Sequence, residues 1–278
     1  MAVVLGLGAS LLWGASDFLG GLGTRRLPLL AVLAVAFPAG AVVIGAIVGV
    51  RGEAPPDGLH ALYACLAGLG GVAGITCLYR GLAVGTMGVV APITATAPLI
   101  PVTVGLLHGE QPGALRLLGI GVTLAGIVLA SREAAGESRR SRVAAGAGLA
   151  LAAGLCFGWT LVALDSASAT DPYWATLIVR LTGCAAVAIA LIIVRPTFAR
   201  PGESLIALAP IGMLDATATM LFAVATTRGL VSVVSVLASL YPLVVVVLAW
   251  RVLGERIAAV QRAGTIAALA GVALISAG

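Results

Sequence analysis

Ten apolar stretches divide this sequence, at residues 2–23, 28–50, 59–79, 86–107, 114–131, 144–166, 173–194, 204–227, 230–250 and 260–277. Each is close to the roughly 20 residues an α-helix needs to cross a hydrocarbon layer. Inside such a layer every backbone N–H and C=O must find a partner within the protein, which leaves helices or closed barrels. The stretches are continuously apolar rather than alternating, so they read as helices. The breaks are short: 24–26, 51–58 with Pro55 and Pro56, 108–112, and a longest one at 132–142. Of the 278 residues 60% are hydrophobic and 10% charged, against about 25% charged in a soluble domain. A soluble fold of this size could not hide so much apolar area. An ordinary cytosolic enzyme, a secreted disulfide scaffold and a disordered regulator are excluded. The expected fold class is an all-α integral membrane protein with ten transmembrane helices and no room for a soluble domain.

The 16 basic residues are all arginine and the formal net charge is +5. No basic stripe is interleaved with aromatics, so nucleic acid is not an expected partner. Arginines instead mark the cytoplasmic loops of membrane proteins. With the N-terminus outside, the inner loops hold Arg25, Arg26, Arg80, Arg132, Arg139, Arg140, Arg142, Arg195, Arg200, Arg251, Arg256 and Arg262, and the outer loops only Arg51, Arg116 and Arg228. This imbalance favours both termini outside. Cys65, Cys77, Cys156 and Cys184 lie in apolar stretches without CxxC or metal spacing and read as small buried hydrophobes. The first stretch lacks a charged leading region, so it reads as a span and not a cleaved signal. The expected setting is the cytoplasmic membrane of a prokaryote. The expected partners are the bilayer and a small-molecule substrate. No cofactor or metal is expected, and the assembly is a monomer or weak homodimer.

The two halves match each other. Leu124-Ala125-Gly126-Ile127 and Leu269-Ala270-Gly271-Val272 lie 145 residues apart, as do Gly109-Glu110 and Gly254-Glu255, and Gly119 and Gly264. Slightly upstream the offset is 144: Pro98 matches Pro242, and Trp13-Gly14 matches Phe157-Gly158. Each half carries five spans, so an odd count makes the second half enter the membrane the opposite way round. The expected organisation is a first repeat at 1–131, an arginine-rich connection at 132–143, and a second, inverted repeat at 144–278. Such inverted repeats underlie many secondary transporters.

An early Trp-Gly, a proline in the fourth span and a Gly-Glu before a glycine-rich span, recurring in five-plus-five order, resemble the EamA-type transporters of the drug/metabolite transporter superfamily. The resemblance covers nearly the whole chain. It implies movement of small metabolites or drugs across the membrane without ATP, with export favoured. For many relatives it also implies termini in the cytoplasm, opposite to the arginine distribution.

Ionisable groups deep in a membrane cost roughly 2.5–3.5 kcal/mol each and are functional candidates. Three stand out: Asp17, Arg180 and Asp215. Asp17 shares a helix face with Ser10, Trp13 and Gly14. A desolvated carboxylate there can load and release a proton or hold substrate; alternatively it pairs with Arg25 or Arg26. Arg180 and Asp215 sit at similar depth in adjacent spans, within reach of an ion pair, and Arg180 could instead anchor a substrate carboxylate. Glu110 and Glu255 recur symmetrically, which argues for capping the next helix, with gating as the alternative. Pro92, Pro98 and Pro101 in span four, and Pro242 with Ser239 in span nine, mark helices that break and line a transport path or merely kink. Trp159 and Tyr79 are cavity aromatics or interfacial ones.

An enzyme is not expected. His60 and His108 are the two histidines, both near span ends, and no HExxH, GxSxG or phosphate-binding loop occurs. The glycines around Gly68–Gly74 form a dinucleotide-like pattern inside a span with no strand before it. The alternative from another class is a membrane enzyme acting on a lipid or isoprenoid, which would want a histidine or a paired acid set deep in the bundle.

Overall fold

The computed structural model describes residues 1–24, 27–84, 93–130, 140–195, 205–253 and 259–277. Among them every regular element is helical: α1 (Ala2–Thr24), α2 (Leu29–Arg51), α3 (Gly58–Val84), α4 (Leu99–Leu107), α5 (Ala114–Ala130), α6 (Arg140–Ser168), α7 (Pro172–Val194), a 3-10 turn (Leu205–Leu208), α8 (Ala209–Thr226), α9 (Val231–Ala238), α10 (Tyr241–Leu253) and α11 (Ala259–Ala277). Seven spans among the described residues are long and apolar enough to cross a membrane, the last of them formed by α9 and α10 together. The shorter apolar helices α5 and α11, with α4, stand at the remaining three apolar stretches.

Local signals fix several ends. Asp57 accepts from the N–H groups of Leu59 and His60 at 3.0 Å each, capping α3. Asp171 accepts from Tyr173 and Trp174 at 2.7 and 2.9 Å, and Pro172 opens α7 with the φ a first turn needs. Gly52 closes α2 at φ 66°, its N–H reaching the Val48 carbonyl. The helix of the sixth stretch begins at Arg140, before the apolar residues start. Arginine is a good helix former, so the helix continues past the apolar limit.

The fourth and ninth stretches are broken. Between residues 93 and 100 the backbone tightens to i→i−3 bonds (Thr96 to Ile93, Ala97 to Thr94, Leu99 to Thr96, Ile100 to Ala97). The ninth breaks between α9 and α10, with Leu240 bonded to Leu237 and Leu243 to Leu240. Pro98 and Pro242 supply the cause, since neither has an N–H to give its helix.

Helices meet through small residues, as membrane helices do when backbones approach closely. The principal pairs are α5 with α11, α3 with α6, and α1 with α8; α2 and α3 both pack on α7, and α2 also on α8. A Cβ on Gly119 would lie 2.8 Å from the Gly271 carbonyl, and one on Gly264 would lie 2.7 Å from the Gly126 carbonyl. The contact order makes α5 and α11 antiparallel. Likewise a Cβ on Gly14 would meet the Tyr241 carbonyl at 2.8 Å, and one on Gly158 the Ala97 carbonyl at 2.7 Å.

Candidate functional site

On α1 the exposed apolar residues Val4, Leu11 and Leu19 mark an outward face. Asp17 is also exposed, yet at about 100° per residue it stands nearly opposite Leu19. Its neighbours on either side of that face are inward: Ser16 donates to the Ile211 carbonyl of α8 at 2.8 Å, and Gly14 abuts α10. The Asp17 carboxylate therefore looks into open space between α8 and α10. It has no hydrogen bond or ion pair among the described residues, and it lies within electrostatic range of Asp215 and Tyr241. Arg25 and Arg26, its alternative partners, lie outside the described residues. One turn on, Gly21 has nothing within 4 Å of a would-be Cβ. One turn back, the half-buried Trp13 packs on Phe222 with ring centroids 5.8 Å apart.

Arg180 and Asp215 are brought together. The guanidinium donates to the Asp215 carboxylate and to the Thr219 hydroxyl, which in turn donates to the Asp215 carbonyl at 2.8 Å. It stands 5.7 Å over the Phe37 ring of α2. The Arg180 side chain is 5% exposed and that of Asp215 35%. The cation is thus withdrawn between helices while the acid keeps an open side. Thr219 and Phe222 were not singled out from the sequence, although with Asp215 they fall at i, i+4 and i+7 on one face; nothing in the sequence marks Phe37.

Glu110 caps a helix, but not the next one. Its carboxylate accepts from the N–H groups of Val231 and Ser232 at 2.6 and 3.2 Å, at the start of α9 in the other half of the chain. This corrects the local expectation: α9 opens on Leu230 with no side-chain cap of its own, so its orphan donors take a carboxylate from 121 residues away. Asp165 of α6 lies beside Thr226, Glu110 and His108 at the same end of the bundle; it was not singled out from the sequence.

The remaining expected residues divide. Ser239 is buried at the break in the ninth stretch, its hydroxyl donating to the Ser235 carbonyl at 2.7 Å. Pro98 and Pro101 are buried and Pro242 is half-buried. Trp159 is 47% exposed and extends the outward stripe of Leu151 and Leu155 at steps of four. On the same turn it is Gly158 that packs inward, on Ala97 and Ile100. Tyr79 sits in α3 with its side chain outside the described residues, where Pro92 and Glu255 also fall. No three His, Cys, Asp or Glu side chains among the described residues converge as a metal site.

Residues 1–132 and 144–277 each match the model of the EamA-like transporter family. A solved crystal structure is similar over 99% of this chain and 98% of its own, with TM-score 0.80 and 21% identity, a likeness of fold. A search of curated proteins finds no match.

Proposed function

Starting from a chain that belongs to the EamA-like transporter family of the drug/metabolite transporter superfamily, we propose a secondary active transporter that carries a small metabolite or drug by alternating access. The observation that carries this reading is Asp17, a carboxylate with no hydrogen-bond or ion-pair partner among the described residues, on an inward face of a largely apolar bundle. Such a group is costly in a membrane interior and is expected only where it serves a ligand or proton.

The two halves act as inverted repeats. Supporting this, the helix contacts come in pairs that exchange when each half is substituted for the other. Gly14 on Tyr241 maps to Gly158 on Ala97 at the 144 offset, and Gly119 on Gly271 maps to Gly264 on Gly126 at 145. In a two-fold arrangement residue i meets j′ while j meets i′, and the antiparallel α5–α11 pair has that form. Rocking one half against the other would expose the Asp17 space to each side in turn. The breaks at 95–98 and 239–240 would be the hinges.

Coupling to protons runs through Asp17. Among the described residues the titratable groups within electrostatic range of it are Asp215 from α8 and Tyr241 from α10, with Arg180 held behind Asp215. Both termini lie outside on the arginine distribution. Export is the direction on family resemblance alone.

The test is counterflow in liposomes loaded with an unlabelled panel of amino acids, nucleosides and organic cations. At least one labelled solute should overshoot transiently, and an Asp17→Asn variant should lose both the overshoot and its pH dependence. Linear leak for every solute overturns the transporter reading, and an overshoot untouched in Asp17→Asn overturns the role of Asp17 in it.

A further inference from the structure

We infer that the Asp17 site takes a small organic cation, one positive charge on an apolar body; this rests on the transporter reading above and names its substrate class. Among the described residues the charges around the space are Asp17, Asp215 and Arg180, two acids and one base, for a net charge of −1. The base is already committed: Arg180 donates to Asp215 and Thr219 and is withdrawn to 4% exposure. A carboxylated or phosphorylated solute would meet the free Asp17 carboxylate first and find no available cation among the described residues of the site. A zwitterion would satisfy its ammonium and leave its carboxylate without a partner. An uncharged solute would leave Asp17 uncompensated. A hard metal ion wants six or more oxygens, whereas Asp17 stands alone and Asp215 is shared with Arg180.

The apolar part of the ligand has a matching surface. Trp13, one turn from Asp17, is fixed by packing on the fully buried Phe222 ring. Tyr241 of α10, whose carbonyl abuts Gly14, lies within electrostatic range of Asp17 and is half-buried. Aromatic faces beside a carboxylate suit an ammonium carrying alkyl or aryl groups, because the ring quadrupole attracts the charge where water is excluded. The polar α1 face offers Ser10 little role, since its hydroxyl is spent on the Leu7 carbonyl.

The probes are benzyltrimethylammonium, its uncharged isostere neopentylbenzene, and phenylacetate, each titrated into the purified full chain with tryptophan fluorescence as the readout. Benzyltrimethylammonium should bind at least ten-fold more tightly than either of the others. Asp17→Asn should weaken it ten-fold or more, Asp17→Glu should restore most of that loss, and Trp13→Leu should weaken it several-fold when read by calorimetry. Tighter binding of phenylacetate, lost in Arg180→Ala, overturns the cation assignment and leaves the transporter reading standing. Equal binding of charged and uncharged isosteres overturns it as well. Absence of counterflow for every solute overturns the transporter reading independently of these titrations.

Discussion

Arg180 on α7 and Asp215 on α8 form an ion pair inside the bundle, with the guanidinium nearly sealed and the carboxylate partly open. The asymmetry matters because a sealed charge that loses its partner has no water to replace it. Arg180 already has one buried nitrogen, Nε, without a hydrogen bond.

Removing one partner should therefore cost more than removing both. Asp215→Leu leaves the sealed guanidinium with only neutral partners, the Thr219 hydroxyl, the residue-215 carbonyl and the Phe37 ring, and should destabilise the protein by about 3 kcal/mol, as broken buried pairs do. The double variant Arg180→Met/Asp215→Leu should recover most of that. Thermal unfolding in detergent of the two single variants and the double one gives the coupling directly; simple additivity would contradict a pair of this kind.

The α5–α11 contact leaves no space for a methyl group. A Cβ at Gly126 would meet the Gly264 carbonyl at 2.7 Å, whereas Gly121 on the same helix has nothing within 4 Å. Gly126→Ala should lower stability by about 1–3 kcal/mol through overpacking. Gly121→Ala should be neutral or stabilising by up to about 1 kcal/mol, since alanine is the better helix former. Denaturation midpoints of the two variants check this, and equal shifts would count against the close approach.

Glu110 holds the first turn of α9 by two backbone N–H groups. Glu110→Ala should cost about 1–2 kcal/mol, the usual loss on removing a cap, and should deprotect the Val231 and Ser232 amides in hydrogen exchange. Glu110→Gln keeps one acceptor oxygen and should lose about half as much. Unchanged exchange at both amides in the alanine variant would remove the capping role.

Asp57 lies outside the membrane-spanning segment that follows it. The His60 and Leu59 hydrogen bonds hold its carboxyl below the usual aspartate range. A carboxyl whose value is depressed on folding contributes above its unfolded value and loses that contribution as pH falls through the folded one. The first turn of α3 should therefore fray only at pH below about 4, the ordinary aspartate value. Amide exchange at Leu59 and His60, followed against pH, should show the loss of protection there and not near neutrality. In Asp57→Ala the two amides should be unprotected at all pH values.

The bundle and the charged centre were legible because charge is scarce in this chain. Once arginines were assigned to loops and Glu110 to the repeat, Asp17, Arg180 and Asp215 remained. Their partners were less so. Thr219 lies one turn from Asp215, but threonine in a membrane helix usually bonds its own backbone, as Thr217 does here. Phe37 contacts Arg180 from a helix 143 positions away in the numbering, and nothing in one sequence reports such a contact. Trp159 shows the limit of composition: with apolar residues on every face of a span, an aromatic gives no sign of which way it points. The recurrence of Gly-Glu identified Glu110 as structural, yet a local pattern suggested the next helix, and only the folded chain brings α9 to it.

The most direct measurement is the two-sided accessibility of a cysteine at Gly21, one turn from Asp17 in open space, in a variant whose four native cysteines are alanine. A membrane-impermeant maleimide should label it from either face of the membrane, and benzyltrimethylammonium should raise the rate from one face while lowering it from the other. Labelling confined to a single face under every condition would mean a closed-ended cavity. Rates that rise together on both faces would mean a pore. Either result would contradict a carrier that exposes the Asp17 site to the two sides in turn.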